Sequence, residues 1–279
     1  MAFLAATNLS NHLSLSSHTT PSPLDKIDSN AVKFPISHKL RTHMTRKILA
    51  ANFKSNLTLS KIKDYFSKLD SKILEGDEVC VFPPFFGLSE RGGRFSIGVQ
   101  NAYPAQKGAF SGEITLEALQ DFGIDSILIG HSERRNLLGE SQEFCAQKFE
   151  FFAKQGFRIF YCIGESLEVR ERGRGAIEEF LASQFEGIDT NYKNLIIAYE
   201  PIWAIGSGVS AQASEIEERH AYLRSLVSCP LLYGGSVQVG NLEEILRIKN
   251  VDGVLVGSAA LEVENFIKML EIARQVKGA

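Results

Sequence analysis

Eight short apolar runs, each separated from the next by a longer polar or amphipathic stretch, constrain this chain more than any other feature. They are KILAAN (47–52), EVCVFP (78–83), SIGVQN (96–101), SILIG (126–130), RIFYCIG (158–164), NLIIAYE (194–200), PLLYGG (230–235) and VDGVLVG (251–257). Each has the length of a strand and is rich in β-branched or aromatic residues. Unbroken apolarity over such a length points to strands covered on both faces, as in a parallel sheet. Between them, LSKIKDYFSKLDSKIL (59–74), FCAQKFEFFAKQG (144–156) and AIEEFLASQFEGI (176–188) repeat apolar residues at three- and four-residue steps, and ENFIKMLEIARQ (264–275) closes the chain as a last apolar helix. Gly156 and Gly187 fall where helices would end. The stretch GLSERGGR (87–94) is too short and glycine-rich to predict a helix, so the second crossover is weak.

This alternation predicts an α/β fold, a single (β/α)8 barrel of parallel strands over residues 44–279. An open doubly wound sheet is the alternative, and the lack of a GxGxxG after the first run counts against its dinucleotide-binding form. A chain of 279 residues with 44% apolar and 23% charged residues suits a barrel built as one unit. Its net charge of −3 offers no electrostatic footprint for nucleic acid or an anionic membrane. The longest apolar runs fall short of the ~18 residues a spanning helix needs. Cys80, Cys145, Cys162 and Cys229 are widely spaced and form no CxxC pair, which argues against a disulfide framework or zinc site and for a reducing compartment.

Residues 1–43 differ from the rest. They are rich in Ser, Thr, Asn and His, holding His12, His18, His38 and His43, and show no sustained period. Few acidic residues (Asp25, Asp28) fit an organellar transit peptide, whereas the single Arg41 and the lack of an amphipathic face do not. A disordered extension or an upstream-start artefact is the other reading, since Met44 opens MTRKILAANFK as a natural start would. The segment is left out of the fold prediction.

A barrel places its chemistry at the carboxyl ends of its strands. Polar residues collect there: Asn52 and Lys54 after the first run, His131 after the fourth, Glu200 after the sixth, Gly234-Gly235-Ser236 after the seventh and Gly257-Ser258 after the eighth. His131 stands between a buried strand and Ser132-Glu133, a good helix opening. Free N–H groups at a helix amino terminus disfavour a protonated imidazole, so a neutral ring could donate to a substrate carbonyl. Lys54 could be a solvated strand-end lysine, an anion-holding group or a Schiff-base former, and spacing does not choose between them. The glycines of Gly206-Ser207-Gly208, Gly234-Gly235-Ser236 and Gly257-Ser258 could serve only as turns, or offer backbone N–H groups to a phosphate. The body histidines, His131 and His220, are far apart and no carboxylate cluster joins them, so no metal site is expected. His220 reads as solvated or packing, Cys162 as a packed thiol, and Glu165 as bracing a loop. The loop QNAYPAQKGAFSGE (100–113) has a length typical of functional or interface loops.

In these residues the chain resembles the triosephosphate isomerases, across essentially all of 44–279. ANFKSN, QNAYPAQKGAFSGE, IGHSERR, CIGE, AYEPIWAIGSG, YGGS and VDGVLVGSAAL occur in the family's order, and bacterial members are more similar than plant ones. That family is itself the standard illustration of a carboxylate base beside a neutral histidine and of loop closure. The resemblance implies an isomerase of dihydroxyacetone phosphate and D-glyceraldehyde 3-phosphate working through an enediolate, without metal or organic cofactor. It implies Glu200 as the base, His131 as the electrophile with Asn52 nearby, Lys54 holding the charged substrate and Glu133 beside that lysine. Gly206, Ser236, Gly257 and Ser258 would meet the phosphate. A mobile loop would run through Pro201, Ile202, Trp203, Ala204, Ile205, Gly206, Ser207, Gly208 and Val209. Ser111 and Gly112 would lie in the interface of a homodimer, and a cytoplasmic enzyme is expected, or an organellar one if residues 1–43 are a transit peptide. A Schiff-base aldolase using Lys54 and a non-catalytic barrel scaffold are the competing readings.

Three positions depart from the family: Phe53 replaces its usual tryptophan, Ser55 a larger residue, and Val209 a lysine in the far hinge of the mobile loop. Lost charge and added β-branching at Val209 should stiffen that hinge. An altered closing rate with intact chemistry is expected; relaxation dispersion that finds loop exchange at the usual family rate would contradict it.

Overall fold

The computed structural model describes residues 46–88, 93–205 and 211–276. The expectations for residues 1–43, for residues 89–92 of GLSERGGR, and for Gly206, Ser207, Gly208 and Val209 lie outside these residues. Eight parallel strands follow in order: β1 (Ile48–Asn52), β2 (Glu78–Phe82), β3 (Ser96–Ile97), β4 (Ser126–Ile129), β5 (Arg158–Ile163), β6 (Leu195–Tyr199), β7 (Leu231–Tyr233) and β8 (Gly253–Val256). They pair in the order β3-β2-β1-β8-β7-β6-β5-β4, and a bridge between Val99 and Ile127 joins the two ends into a barrel. Among the described residues no helix is long and apolar enough to cross a membrane.

Helices cover the outside: α1 (Leu59–Asp70), α2 (Leu116–Asp121), α3 (Ser132–Asn136), α4 (Gln142–Lys154), α5 (Leu167–Glu171), α6 (Arg174–Ser183), α7 (Ala213–Leu226), α8 (Leu242–Arg247) and α9 (Val263–Gln275). Helix α1 shows why they form. Its buried residues Ile62, Tyr65, Phe66 and Leu69 recur at the helical period, and each contributes roughly 1.5–3 kcal/mol by leaving water. Ser141 caps α4 by accepting from the Phe144 N–H at 3.2 Å, and Ser166 caps α5 from the Val169 N–H at 3.3 Å.

The run at 96–101 yields a strand of only two residues, shorter than the sequence predicts. The chain changes partner there. Gly98 still donates to Val81 O of β2 at 2.9 Å, whereas Val99 donates to Ser126 O of β4 at the same distance. One short segment thus serves both edges of the seam and cannot run straight along either.

Side chains alternate along each strand. Ile48 and Ala50, Cys80 and Phe82, Leu128, Phe160 and Cys162, Ile196 and Ala198, Leu232 and Leu255 form one cluster inside the barrel. Leu49, Ala51, Val79, Val81, Ile127, Ile129, Ile159, Tyr161, Ile197 and Val254 belong to the shell packed against the helices. Cys162 is therefore a packed interior thiol, as expected.

His220, on α7, is fully buried and not solvated. Its ring meets Tyr199 edge-on at 5.9 Å, and Nδ1 lies 3.0 Å from Asn250 O. Burial pushes its pKa down to about 4, against a small opposing pull from Asn250. A depressed folded-state pKa means that the unfolded chain binds a proton which the folded chain refuses. Stability is then complete above about pH 6.5 and declines as pH falls toward about 4, by roughly 2 kcal/mol at pH ~5. His220→Gln should lose that part of the pH dependence; urea midpoints that fall equally with pH in both proteins would contradict this.

Candidate active site

Extending the alternation one step past the interior cluster identifies the residues that face the mouth. On β1 that position is Asn52, and on β6 it is Glu200. Glycine stands at the equivalent place after β4 (Gly130), β5 (Gly164), β7 (Gly234) and β8 (Gly257), and Gly98 after β3 lies level with Phe82, whose ring takes its side-chain space. Gly164 and Gly234 let the Glu200 segment pack close, since a Cβ there would meet Glu200 O at 1.7 Å and Glu200 Cγ at 2.9 Å, whereas a Cβ at Gly257 would meet only Lys54 Cε, at 3.6 Å.

His131 should by alternation point outward, with Ile127 and Ile129. Gly130 prevents that. Its φ of +73°, a region that few side-chain-bearing residues enter, redirects the chain. Arg135 fixes the turn by donating to Gly130 O at 2.8 Å and to the Tyr161 hydroxyl at 2.9 Å. The result places His131 Nε2 3.2 Å from Glu200 Oε1.

Both groups are buried, at 6% and 2% exposure. His131 also caps α3, with Nδ1 accepting from the Glu133 N–H at 3.3 Å. An accepting Nδ1 carries no proton, which leaves Nε2 to donate to the carboxylate. Burial works against a charged ring, but the Glu200 carboxylate, with Glu133, outweighs it and holds the ring's pKa above its ordinary value. Burial likewise works against ionised Glu200, and His131, the Ser132 N–H at 3.3 Å and Lys54 together hold its pKa below the usual carboxylate value.

Lys54 lies over the same mouth, its Nζ 2.6 Å from Glu133 Oε1. Its backbone is left-handed, with φ 51°, a costly geometry for a residue with a side chain. Asn52 Oδ1 accepts from Lys54 N at 2.9 Å, and Gln100 Nε2 donates to Lys54 O at 2.8 Å and Phe82 O at 2.9 Å.

On the far side of the mouth, β7 and β8 run in register with Leu232 beside Gly253. Continued past the strand ends, that register brings Ser236 level with Gly257. The N–H groups of Ser236, Gly257 and Ser258 donate to no backbone acceptor among the described residues. Gly257 also stands next to Lys54, whose Cε lies 3.6 Å from where a Cβ would be.

The sequence of residues 47–273 matches the family model described as triosephosphate isomerase. The chain belongs to the triosephosphate isomerase family. The triosephosphate isomerase of a Nitratiruptor species is 53% identical over 231 residues, covering 82% of this chain and all of that protein. That of a Sulfurovum species is 55% identical over 226 residues, covering 80% of this chain and 99% of its own. That of Wolinella succinogenes is 53% identical over 229 residues, with 80% and 99% covered.

Within this triosephosphate isomerase fold, Asn52, Lys54, His131, Glu133 and Glu200 come together at one mouth, bordered by Ser236, Gly257 and Ser258. Pro201 is buried, and Ile202–Ala204 form one 3-10 turn that leads to Ile205. Ser111 and Gly112 are exposed in the 100–113 loop and have no bonded contact with the mouth. Phe53 is fully buried, edge-on to Tyr65 at 4.7 Å, so the family's tryptophan is replaced here by aromatic packing. Ser55 is exposed, and nothing in the structure explains its difference from the family.

Gln100 is a site residue that spacing did not single out. Its only signal is parity, two residues beyond Gly98 on the inward face. Glu165, read as a loop brace, holds both flanks of Glu200: its Oε1 accepts from Tyr199 Oη at 3.1 Å and from Trp203 Nε1 at 2.9 Å. Its backbone oxygen also accepts from Ile202 N at 3.1 Å.

The tightest approach in the site is between backbones. A Cβ on Gly164 would sit 1.7 Å from the Glu200 carbonyl oxygen, which no side-chain rearrangement can relieve. Gly164→Ala is expected to destabilise the protein by about 3 kcal/mol and to displace Glu200. A variant as stable as the parent in urea, with undiminished turnover, would show that this packing is not required.

Proposed function

We propose that this chain interconverts dihydroxyacetone phosphate and D-glyceraldehyde 3-phosphate, as the names of its relatives indicate. One observation carries the reading: a buried, ionised carboxylate and an imidazole N–H lie 3.2 Å apart in the mouth, with a lysine over the same space. Glu200 takes the proton from the carbon next to the substrate carbonyl, and the electron pair moves onto the carbonyl oxygen to give an enediolate. His131 Nε2–H donates to that oxygen. The proton of the neighbouring hydroxyl passes by way of His131 to that oxygen. Glu200, now protonated, returns its proton to the former carbonyl carbon, so the carbonyl reforms on the neighbouring carbon without loss or gain of atoms. When Glu200 turns from the ring to the substrate, it takes away the main influence that raises the His131 pKa. Burial and the Glu133 N–H then favour the neutral ring that can donate.

Lys54 supplies positive charge to the substrate and the developing oxyanion, with Asn52 and Glu133 holding it. The N–H groups of Ser236, Gly257 and Ser258 receive the phosphate, joined by Gly206 and by closure of the loop from Pro201 to Val209. The ion pair to Glu133 argues against the aldolase reading, because an ammonium so held is a poor nucleophile. Borohydride treatment with substrate should leave no adduct on Lys54.

The working unit is a homodimer. The 100–113 loop projects Ser111 and Gly112 while stacking Tyr103 on Phe110 at 4.2 Å, and Phe85, Phe86, Leu137 and Leu138 are exposed at 48–78%. Exposed large apolar side chains of this kind fit surface that a second copy covers. All four cysteines are free thiols, which supports the cytoplasm as its compartment.

Glu200→Asp shortens the base by one methylene and should lower kcat by about a hundredfold while KM stays within a few-fold. Equal rates in a coupled isomerisation assay would remove Glu200 from the role of base.

A further inference from the structure

His131 reaches the mouth only because the chain turns at Gly130, with φ +73°. Glycine makes that turn possible but does not hold it, since glycine moves among more backbone conformations than any other residue. What holds it is Arg135. A Cβ at Gly130 would lie 2.7 Å from Arg135 Nη2 and 3.0 Å from its Nε, so the guanidinium fills the space that a side chain would take. Nε donates to Gly130 O at 2.8 Å, and the Arg135 backbone N–H donates to His131 O at 3.2 Å. One residue thus grips the peptide carbonyls on either side of the histidine.

The guanidinium is fixed in turn by the scaffold. Nη1 donates at 3.0 Å to Oε1 of Gln142, the first residue of α4, and Nη2 donates at 2.9 Å to the hydroxyl of Tyr161 on β5. Both acceptors are tied to the end of α6. The Tyr161 hydroxyl lies 2.8 Å from Gln184 O, and Gln142 Nε2 donates to Gln184 O at 2.9 Å and to Glu186 O at 2.8 Å. All three guanidinium nitrogens thus meet acceptors, a geometry that a lysine could not reproduce. Gln142, Tyr161 and Gln184 lie outside the segment 201–209, so the clasp holds while that segment closes and Glu200 turns.

We infer that Arg135 is a positioning residue for the reaction: by clasping Gly130 it fixes the peptide that aims the His131 ring at the substrate carbonyl. A donor contributes most when it already points to where negative charge develops, and a small misplacement is costly. The phosphate is received elsewhere, beyond β7 and β8, so Arg135 should govern kcat and leave KM nearly unchanged. The inference rests on His131 being the group that donates to the carbonyl oxygen.

A double-mutant cycle separates this role from simple support of the fold. Arg135→Met should lower kcat about tenfold in the parent, with KM within about twofold. In a His131→Gln background, which has no imidazole left to aim, the same substitution should change kcat by less than about twofold. Tyr161→Phe removes one acceptor of the fork and should show the same pattern to a smaller extent. It also serves if Arg135→Met does not fold. Three results in folded variants would overturn the proposal: parental kcat, a raised KM with parental kcat, or equal losses of kcat in the two backgrounds. Failure of the underlying reading looks different, as an inactive parent protein or a His131→Gln variant with parental kcat.

Discussion

The structure depends on one geometric constraint, the alternation of side chains along a closed ring of parallel strands. In an open sheet, inward and outward would be separate choices for each strand. In a barrel, the residues that fill the interior force the next inward position on every strand to the rim. Ile48 and Ala50 thereby carry Asn52 to the mouth, and Ile196 and Ala198 carry Glu200. The same rule places Gly130, Gly164, Gly234 and Gly257 around them. At Gly164 and Gly234 the absence of a side chain lets the barrel close tightly on Glu200. Where chemistry needs a residue of the other parity, the chain breaks the rule locally, as Gly130 does for His131.

Placing a carboxylate there has a cost. Burial of an unpaired charge is unfavourable by several kcal/mol, so Glu200 must be surrounded by groups that favour its ionised form. His131, the first N–H of α3 and Lys54 do this together. Each of them needs support of its own. His131 is held as the cap of α3, and the left-handed Lys54 is held by Asn52 and Gln100. Charge compensation at the mouth and backbone geometry beneath it are therefore one problem with a shared solution.

Much of this was legible in the sequence. Continuous apolar runs announced strands buried on two faces, and helical periodicity placed α1, α4, α6 and α9 to within a few residues at either end. The third strand was overestimated because SIGVQN is apolar enough for six residues, while its hydrogen bonds must be shared between β2 and β4. His220 could not be assigned because a histidine on a helix gives no indication of which way it points. Glu165 was recognised as a brace, but its two donors, Tyr199 and Trp203, come from an element more than thirty residues away. Gln100 carried no signal beyond parity, since its task is to hold the backbone of residues 54 and 82.

The sequence by itself determined the order of the elements and which ionisable groups stand at strand ends, because period and chemistry are local properties of the chain. Tertiary structure alone decided which of those groups face one another. The 3.2 Å between His131 and Glu200 depends on β4 and β6 being held on either side of β5, and on one glycine turning against the local alternation. The contact of Lys54 with Glu133 and the stacking of Arg170 on Trp203 likewise arise only when residues distant in sequence are closed into the same ring.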